Sequence, residues 1–222
     1  MTVDVNEVIR AAKGRIAASG AAVAAVAEAI DESFVRAASL IIDCPGKVFI
    51  GGSGTSGAVA HRMAHVLSVT GTPSIYFSPM DSLHGGAGVV DARDVVLLIS
   101  KGGASQEVLD CADVMRARGS TVIALTRSHD TDLARRADIS LALDVPQDTE
   151  LGGVVATGIT LAQAAWGDAL AEVLMRARGY TLRQFHATHP AGAVGLLDEL
   201  PADLPPLTLP SHDRTRSEAS HG

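Results

Sequence analysis

At 222 residues, 47% of them hydrophobic and 19% charged, the chain has the length and apolar content for one domain with a sizeable core, which excludes disorder for most of it. A formal charge of −7 and a stock of four Phe, two Tyr and one Trp argue against a broad phosphate-backbone footprint and against base stacking, so nucleic acid is not an expected partner. Two cysteines, Cys44 and Cys111, form neither a disulfide framework nor a C-x-x-C pair and read as small buried thiols of a reducing compartment.

The N-terminus, MTVDVNEVIRAAKG, lacks the basic stretch and apolar run of a secretory leader. No segment reaches the ~18 uninterrupted apolar residues of a membrane span. The expectation is a cytoplasmic protein with no membrane partner. Two helices come first, one within residues 3–18 and a longer one near 22–42.

Five β-branched or aliphatic runs follow: KVFIG (47–51), PSIYF (73–77), DVVLLIS (94–100), STVIALT (120–126) and ISLALDV (139–145). Helical segments separate most of them, for example 57–70 and 105–118. Strands alternating with helices imply right-handed crossovers and a parallel sheet covered on both faces. The continuous apolar character of VVLLI and VIAL is what strands buried on both faces require. Residues 153–178 then read as a long Ala-rich helix stopped by Gly179, apolar enough to need cover from the core or from another subunit. A homo-oligomer is therefore expected. Residues 1–200 are read as one domain, and 201–222, which hold four of the nine prolines and end in a polar run, as a mobile tail.

Ligands of open parallel sheets bind at the carboxyl ends of the strands. After the first strand, Gly52-Ser53-Gly54-Thr55-Ser56-Gly57 fits the dinucleotide fingerprint G-x-G-x-x-G. The second strand, however, ends at Phe77-Ser78-Pro79 without the ribose-binding carboxylate, and the nearest acid, Asp81, lies several residues into the loop. There is no lysine for a P-loop and no closing glycine for a nucleophile elbow. A second loop of the same character, Ser100-Lys101-Gly102-Gly103-Ala104-Ser105, follows the third strand. Two loops of glycines and hydroxyls are either tight turns or the two sides of one site for a small phosphorylated ligand.

In DESFVRA (31–37), GGSGTSG (51–57), SLHGGAG (82–88), ISKGGASQEVLD (99–110), GDAL (167–170) and RGYTLRQFHATHPAGAVG (178–195), the chain resembles the sugar isomerase (SIS) domain, specifically the arabinose-5-phosphate isomerase family. The resemblance runs from about residue 20 to 198, and H-P-A-G-A-x-G is its most specific segment. It implies an α/β fold, a three-layer α/β/α sandwich on a five-stranded parallel sheet, assembled as a tetramer or dimer with sites near subunit contacts. Many members carry a pair of CBS domains after this one; none is expected here.

The resemblance also implies the chemistry: an aldose phosphate and a ketose phosphate, of the arabinose-5-phosphate/ribulose-5-phosphate type, interconverted through an enediol without metal or cofactor. His84 or Glu107 would be the enolising base, and His189 would open the ring or shuttle protons, from a neighbouring subunit if need be. Counted back without a gap from Gly167, Asp148 falls where the family has a glutamate. Ser53, Ser56, Ser100 and Ser105 would hold the phosphate, with Gly52, Gly54, Thr55, Lys101, Gly102 and Thr157 beside it. Two departures stand out. Thr55 replaces the family's first-loop lysine, for which Lys101 could substitute, and Ala156-Thr157-Gly158-Ile159-Thr160 replaces P-T-S-S-T. Those departures keep open a non-catalytic sugar-phosphate sensor, a hexulose-phosphate isomerase or a sugar-phosphate lyase. His61 and His65, at helical spacing with Arg-Met-Ala between them, read as ordinary helix residues rather than metal ligands.

Overall fold

The computed structural model describes residues 4–211. Asp4 starts the first helix, its carboxylate accepting from the amides of Asn6 and Glu7. This helix, α1 (Val5–Ala25), passes straight through Gly14 and Gly20 and ends in a 3-10 turn over Val26–Ala29. The break expected near residue 20 lies instead at Ile30, where Asp31 accepts from Ser33 N and starts α2 (Glu32–Ile42). One glycine costs a helix about 1 kcal/mol relative to alanine, too little to end one flanked by alanine runs, whereas a capping carboxylate defines a start.

The remaining elements alternate: β1 (Val48–Gly52), α3 (Thr55–Val69), β2 (Ser74–Phe77), α4 (Pro79–Ser82), β3 (Val95–Ile99), α5 (Gln106–Ala117), β4 (Thr121–Thr126), α6 (Asp132–Arg136), β5 (Ile139–Ala142), α7 (Gly158–Ala177) and α8 (Leu182–Ala187). The sheet is parallel throughout, in the order β2-β1-β3-β4-β5. Alternate strand residues feed two cores, as the two-residue period of a strand demands. Ile50, Leu97 and Leu125 pack under α2, α3 and α7, while Phe49, Val96 and Leu98 pack with Leu109 and Met115 of α5 and Leu133 of α6. The result is the expected three-layer α/β/α sandwich.

Helix α7 lies across the first core. Trp166 is fully buried and meets Phe34 edge to face at 5.5 Å between centroids. A Cβ on Gly167 would come within 2.8 Å of Met63, so glycine sets how closely α3 and α7 approach. The Pro-rich segment expected to be mobile from residue 201 is tied down along its first half. Arg176 Nε donates to Pro205 O at 2.7 Å, the amide of Leu182 donates to Asp203 at 2.7 Å, and Leu209 packs on the core. The rest of that expectation, residues 212–222, lies outside the described residues. Among the described residues no helix is long and apolar enough to cross a membrane.

Candidate active site

The strand order changes direction between β1 and β3, and the crevice outside their carboxyl ends is where such sheets take ligands. Register aligns Gly52 with Ile99, so Ser53 and Ser100 lead the two loops away side by side. Gly52 is required by crowding, since a Cβ there would lie 2.8 Å from Ser56 O and 3.0 Å from Ile99 O. Gly54 has φ +57°, which favours glycine. Thr55 is exposed and opens α3, with Ser56 buried behind it.

The second loop is shaped from within. Buried Ser100 accepts from Gly103 N at 3.1 Å, and Ser105 occupies the cap position of α5 without using its hydroxyl to cap. Among the described residues no hydrogen bond engages the hydroxyls of Ser53, Ser56 or Ser105. Two helix N-termini with unspent amides therefore begin at the crevice, beside hydroxyls free to donate. Gly102 is exposed within the second loop.

One residue further on, the electrostatics change. Lys101 Nζ lies 2.8 Å from Glu150 Oε1, with the lysine side chain 30% exposed and the glutamate only 3%. The other carboxylate oxygen accepts from the amides of Thr157, at 2.7 Å, and Gly158, at 3.0 Å. Glu150 thus fills the N-terminus of α7 with the chain's own anion. Burial pushes its carboxyl up, but Lys101 and the two amides together outweigh burial and hold it below the ordinary 4.5. The charge of Lys101 is consequently spent on Glu150 and not held in reserve for a ligand. Thr157, counted among the ligand contacts in the sequence, accepts from Leu151 N at 3.0 Å and so braces the same turn. Arg15 of α1 reaches the same region, donating to Thr149 O.

This side of the site encloses a cavity of ≈110 Å³, walled by Lys101, Arg127, Asp144, Gln147, Glu150 and Ile159, among others. Asp148 does not line it. That residue is exposed on the 3-10 turn Gln147–Thr149, next to Gln147, which does. His84 is exposed just beyond α4, which packs on α5, and half-buried Glu107 lies in the first turn of α5. His189 lies just beyond the end of α8 (Leu182–Ala187). Its Nδ1 is 2.7 Å from Phe185 O and its ring stacks on Phe185 at 3.9 Å, and among the described residues no hydrogen bond joins it to the loops of the crevice.

The structure therefore brings Ser53, Ser100, Lys101 and Thr157 to one end of the sheet, sets His84 and Glu107 to its α5 side, leaves Asp148 exposed beside the cavity wall, and holds His189 in local contacts with Phe185. Sequence reasoning passed over Glu150 and Arg127. A lysine in a glycine loop needs a counter-charge, and Arg127 directly follows β4, at a strand's carboxyl end; both were usable signals. His61 stands beside Tyr76, at 5.1 Å between ring centroids, and among the described residues no three His, Cys, Asp or Glu side chains are placed to hold a metal ion. Cys111 is fully buried, and burial pushes its thiol up, away from nucleophilic chemistry.

The SIS domain profile matches residues 40–173. The arabinose 5-phosphate isomerase KdsD of Yersinia pestis is 37% identical over 166 residues, 75% of this chain and 51% of that protein. The chain spans about half the length of the curated relatives it matches. A solved protein of Escherichia coli CFT073, in complex with arabinose 5-phosphate, superposes with a TM-score of 0.79 at 30% identity, over 85% of this chain and 100% of its own. A Listeria monocytogenes protein provisionally named a sugar-phosphate isomerase superposes with a TM-score of 0.82 at 30% identity, over 86% and 100%.

Proposed function

The chain belongs to the SIS-domain family, and from that premise we propose that it is an aldose-ketose isomerase acting on a phosphorylated pentose, interconverting arabinose 5-phosphate and ribulose 5-phosphate. The observation that carries the reading is the paired loop at the β1/β3 crevice: Ser53, Ser56 and Ser105 offer uncommitted hydroxyls beside two helix N-termini. Such a cradle suits a phosphate monoester, which needs donors more than one formal cation. Held there, the phosphate orients the sugar so that one base can act on a single carbon.

Isomerisation then needs a base for the proton at C2 and a donor for the oxygen that gains charge in the enediol. Glu107, in the first turn of α5, and His84, beyond α4, are the two candidates for these roles. His189 serves ring opening from a neighbouring protomer of a cytoplasmic tetramer or dimer, since within its own protomer it is bonded locally. The groove between α1, α3 and α7 supports that assembly. It is lined by Val23, Ala58, Leu161 and Ala165, with Thr55 at its edge, which places an apolar contact surface next to the first phosphate loop.

The departure at Gly158 has a packing counterpart. Gly158 stands where the resemblance places a serine, and a Cβ there would come within 2.7 Å of Thr149 Cβ and 2.9 Å of Thr149 O. Loss of that hydroxyl and the seating of Glu150 on α7 are thus one packing change, and it leaves the phosphate cradle of α3 and α5 intact.

A second reading, a sugar-phosphate-binding regulator without turnover, is favoured by one observation: Thr55 carries no charge and that of Lys101 is neutralised by Glu150. Solvent deuterium exchange separates the two. The isomerase incorporates label into arabinose 5-phosphate, and Glu107→Gln or His84→Ala abolishes incorporation. Absence of label with the unaltered protein, while the ligand still raises the melting temperature, establishes the regulator instead.

A further inference from the structure

The cavity beyond β3, β4 and β5 contains groups that the phosphate cradle does not use. Arg127 and Asp144 both line it and carry opposite charges, yet among the described residues neither side chain has an ion-pair or hydrogen-bond partner. Gln147, on the same wall, likewise has its amide unengaged. Only the backbone of Arg127 is fixed, its amide donating to Lys101 O at 3.1 Å, which attaches this wall directly to the second phosphate loop. Behind these groups the Lys101–Glu150 pair forms a charged but neutral back wall at 2.8 Å.

The charge balance indicates what would fit. Lys101 and Glu150 cancel, and so do Arg127 and Asp144, so the cavity has no net charge with which to draw in a second phosphate. It offers instead five guanidinium donors, a carboxylate acceptor and an amide that can do either. A hydroxyl both donates and accepts, and a run of hydroxyls can satisfy Asp144 and Arg127 at once. The volume, ≈110 Å³, is several times that of one water, room for part of a ligand rather than the whole. Neighbouring strands are about 4.8 Å apart, so a cavity centred outside β4 lies about one and a half strand spacings, roughly 7 Å, from a phosphate seated outside β1 and β3. That offset is close to the length of a short sugar chain.

We propose that Arg127 and Asp144, with Gln147, form the subsite that reads the hydroxyls of the sugar, while the serine loops hold its phosphate; this rests on the phosphosugar reading above. Glu150 is a positioning residue in this arrangement. It holds Lys101 against the back wall and thereby keeps the loop that links the two subsites in place.

Calorimetric titration with two probes, inorganic phosphate and arabinose 5-phosphate, tests the division of labour. Arg127→Gln and Asp144→Asn, both at exposed positions, are each expected to weaken arabinose 5-phosphate binding about tenfold, the loss of one or two hydrogen bonds to a charged group. Inorganic phosphate binding should change less than about twofold, because an unengaged side chain outside the cradle contributes little to it. Equal weakening of both probes assigns these residues to the phosphate site and overturns the proposal, as does no change in either. So does an unaltered protein that binds arabinose 5-phosphate no more tightly than phosphate. Deuterium exchange on the same proteins scores the isomerase reading separately. Exchange with Arg127-independent binding keeps that reading and sinks the subsite, whereas Arg127-dependent binding without exchange keeps the subsite and sinks the isomerase.

Discussion

Two regions of the same sheet end handle the same physical device differently. At α3 and α5 the helix N-termini open onto unspent serine hydroxyls, and no side chain among the described residues caps them. At α7 the N-terminus is filled by Glu150, whose carboxylate is also neutralised by Lys101. A helix N-terminus is thus an opportunity for an anion, and the surrounding sequence decides whether that anion is a ligand or a side chain. Where glycines and serines surround it, the site stays open; where an acid eight residues upstream of Gly158 can fold back, it closes.

Emptying the filled terminus should produce the largest effect. Glu150→Ala uncaps α7 and leaves Lys101 without its counter-charge, and a loss of about 3 kcal/mol is expected from breaking a mostly buried pair. In a chain of this size that corresponds to a melting temperature lower by about 6–12 °C. The same variant should then respond to millimolar inorganic phosphate with a larger rise in melting temperature than the unaltered protein, because a further helix terminus has become available. No differential response breaks the comparison between α7 and the other two helices. Gly158→Ser comes next. It forces Thr149 and the helix start apart and should cost about 2 kcal/mol in urea denaturation, as overpacking does. If the serine is accommodated without loss, the coupling of Gly158 to the seating of Glu150 is wrong.

The comparison also explains what the sequence revealed and what it concealed. All five strands were legible, because VVLLI and VIAL are apolar throughout and the turns between the elements are marked by Gly, Pro and Asp. The two loops proposed to hold phosphate stood out for a related reason: glycine and serine crowd together directly after a strand in both. Glu150 was not, because its role depends on a contact with Lys101 across 49 positions, and a gap-free count from Gly167 stops at Asp148, two residues short. Arg127 was missed because its one signal, a place at a strand's carboxyl end, comes without any motif around it. The helix break at Ile30 was misplaced because glycine signals a stop only where no alanine-rich flank outweighs it.

A pH titration sharpens the contrast further. The carboxyl of Glu150 is depressed in the folded protein, so its contribution to stability is fully present above the unfolded value of 4.5 and is lost as pH falls through the lower folded value. The stability gap between the unaltered protein and Glu150→Gln should therefore be constant from neutral pH to about 5 and shrink below 4.5. A gap that persists undiminished well below that point means the charge of Glu150 is not what stabilises α7.

Ser105→Ala should give the smallest change in stability and the most selective one in binding. Its hydroxyl caps nothing, since α5 begins without a side-chain bond from that position, so denaturation should shift by no more than about 0.5 kcal/mol. Phosphate affinity should nonetheless fall about three- to tenfold, the loss of one donor to an anion. Ser100→Ala provides the control, because Ser100 is buried and holds Gly103 N, and its removal should cost about 1 kcal/mol of stability along with affinity. If Ser105→Ala destabilises as much as Ser100→Ala while phosphate binding is untouched, the second loop is a structural turn. The open region would then be no more a ligand site than the filled one.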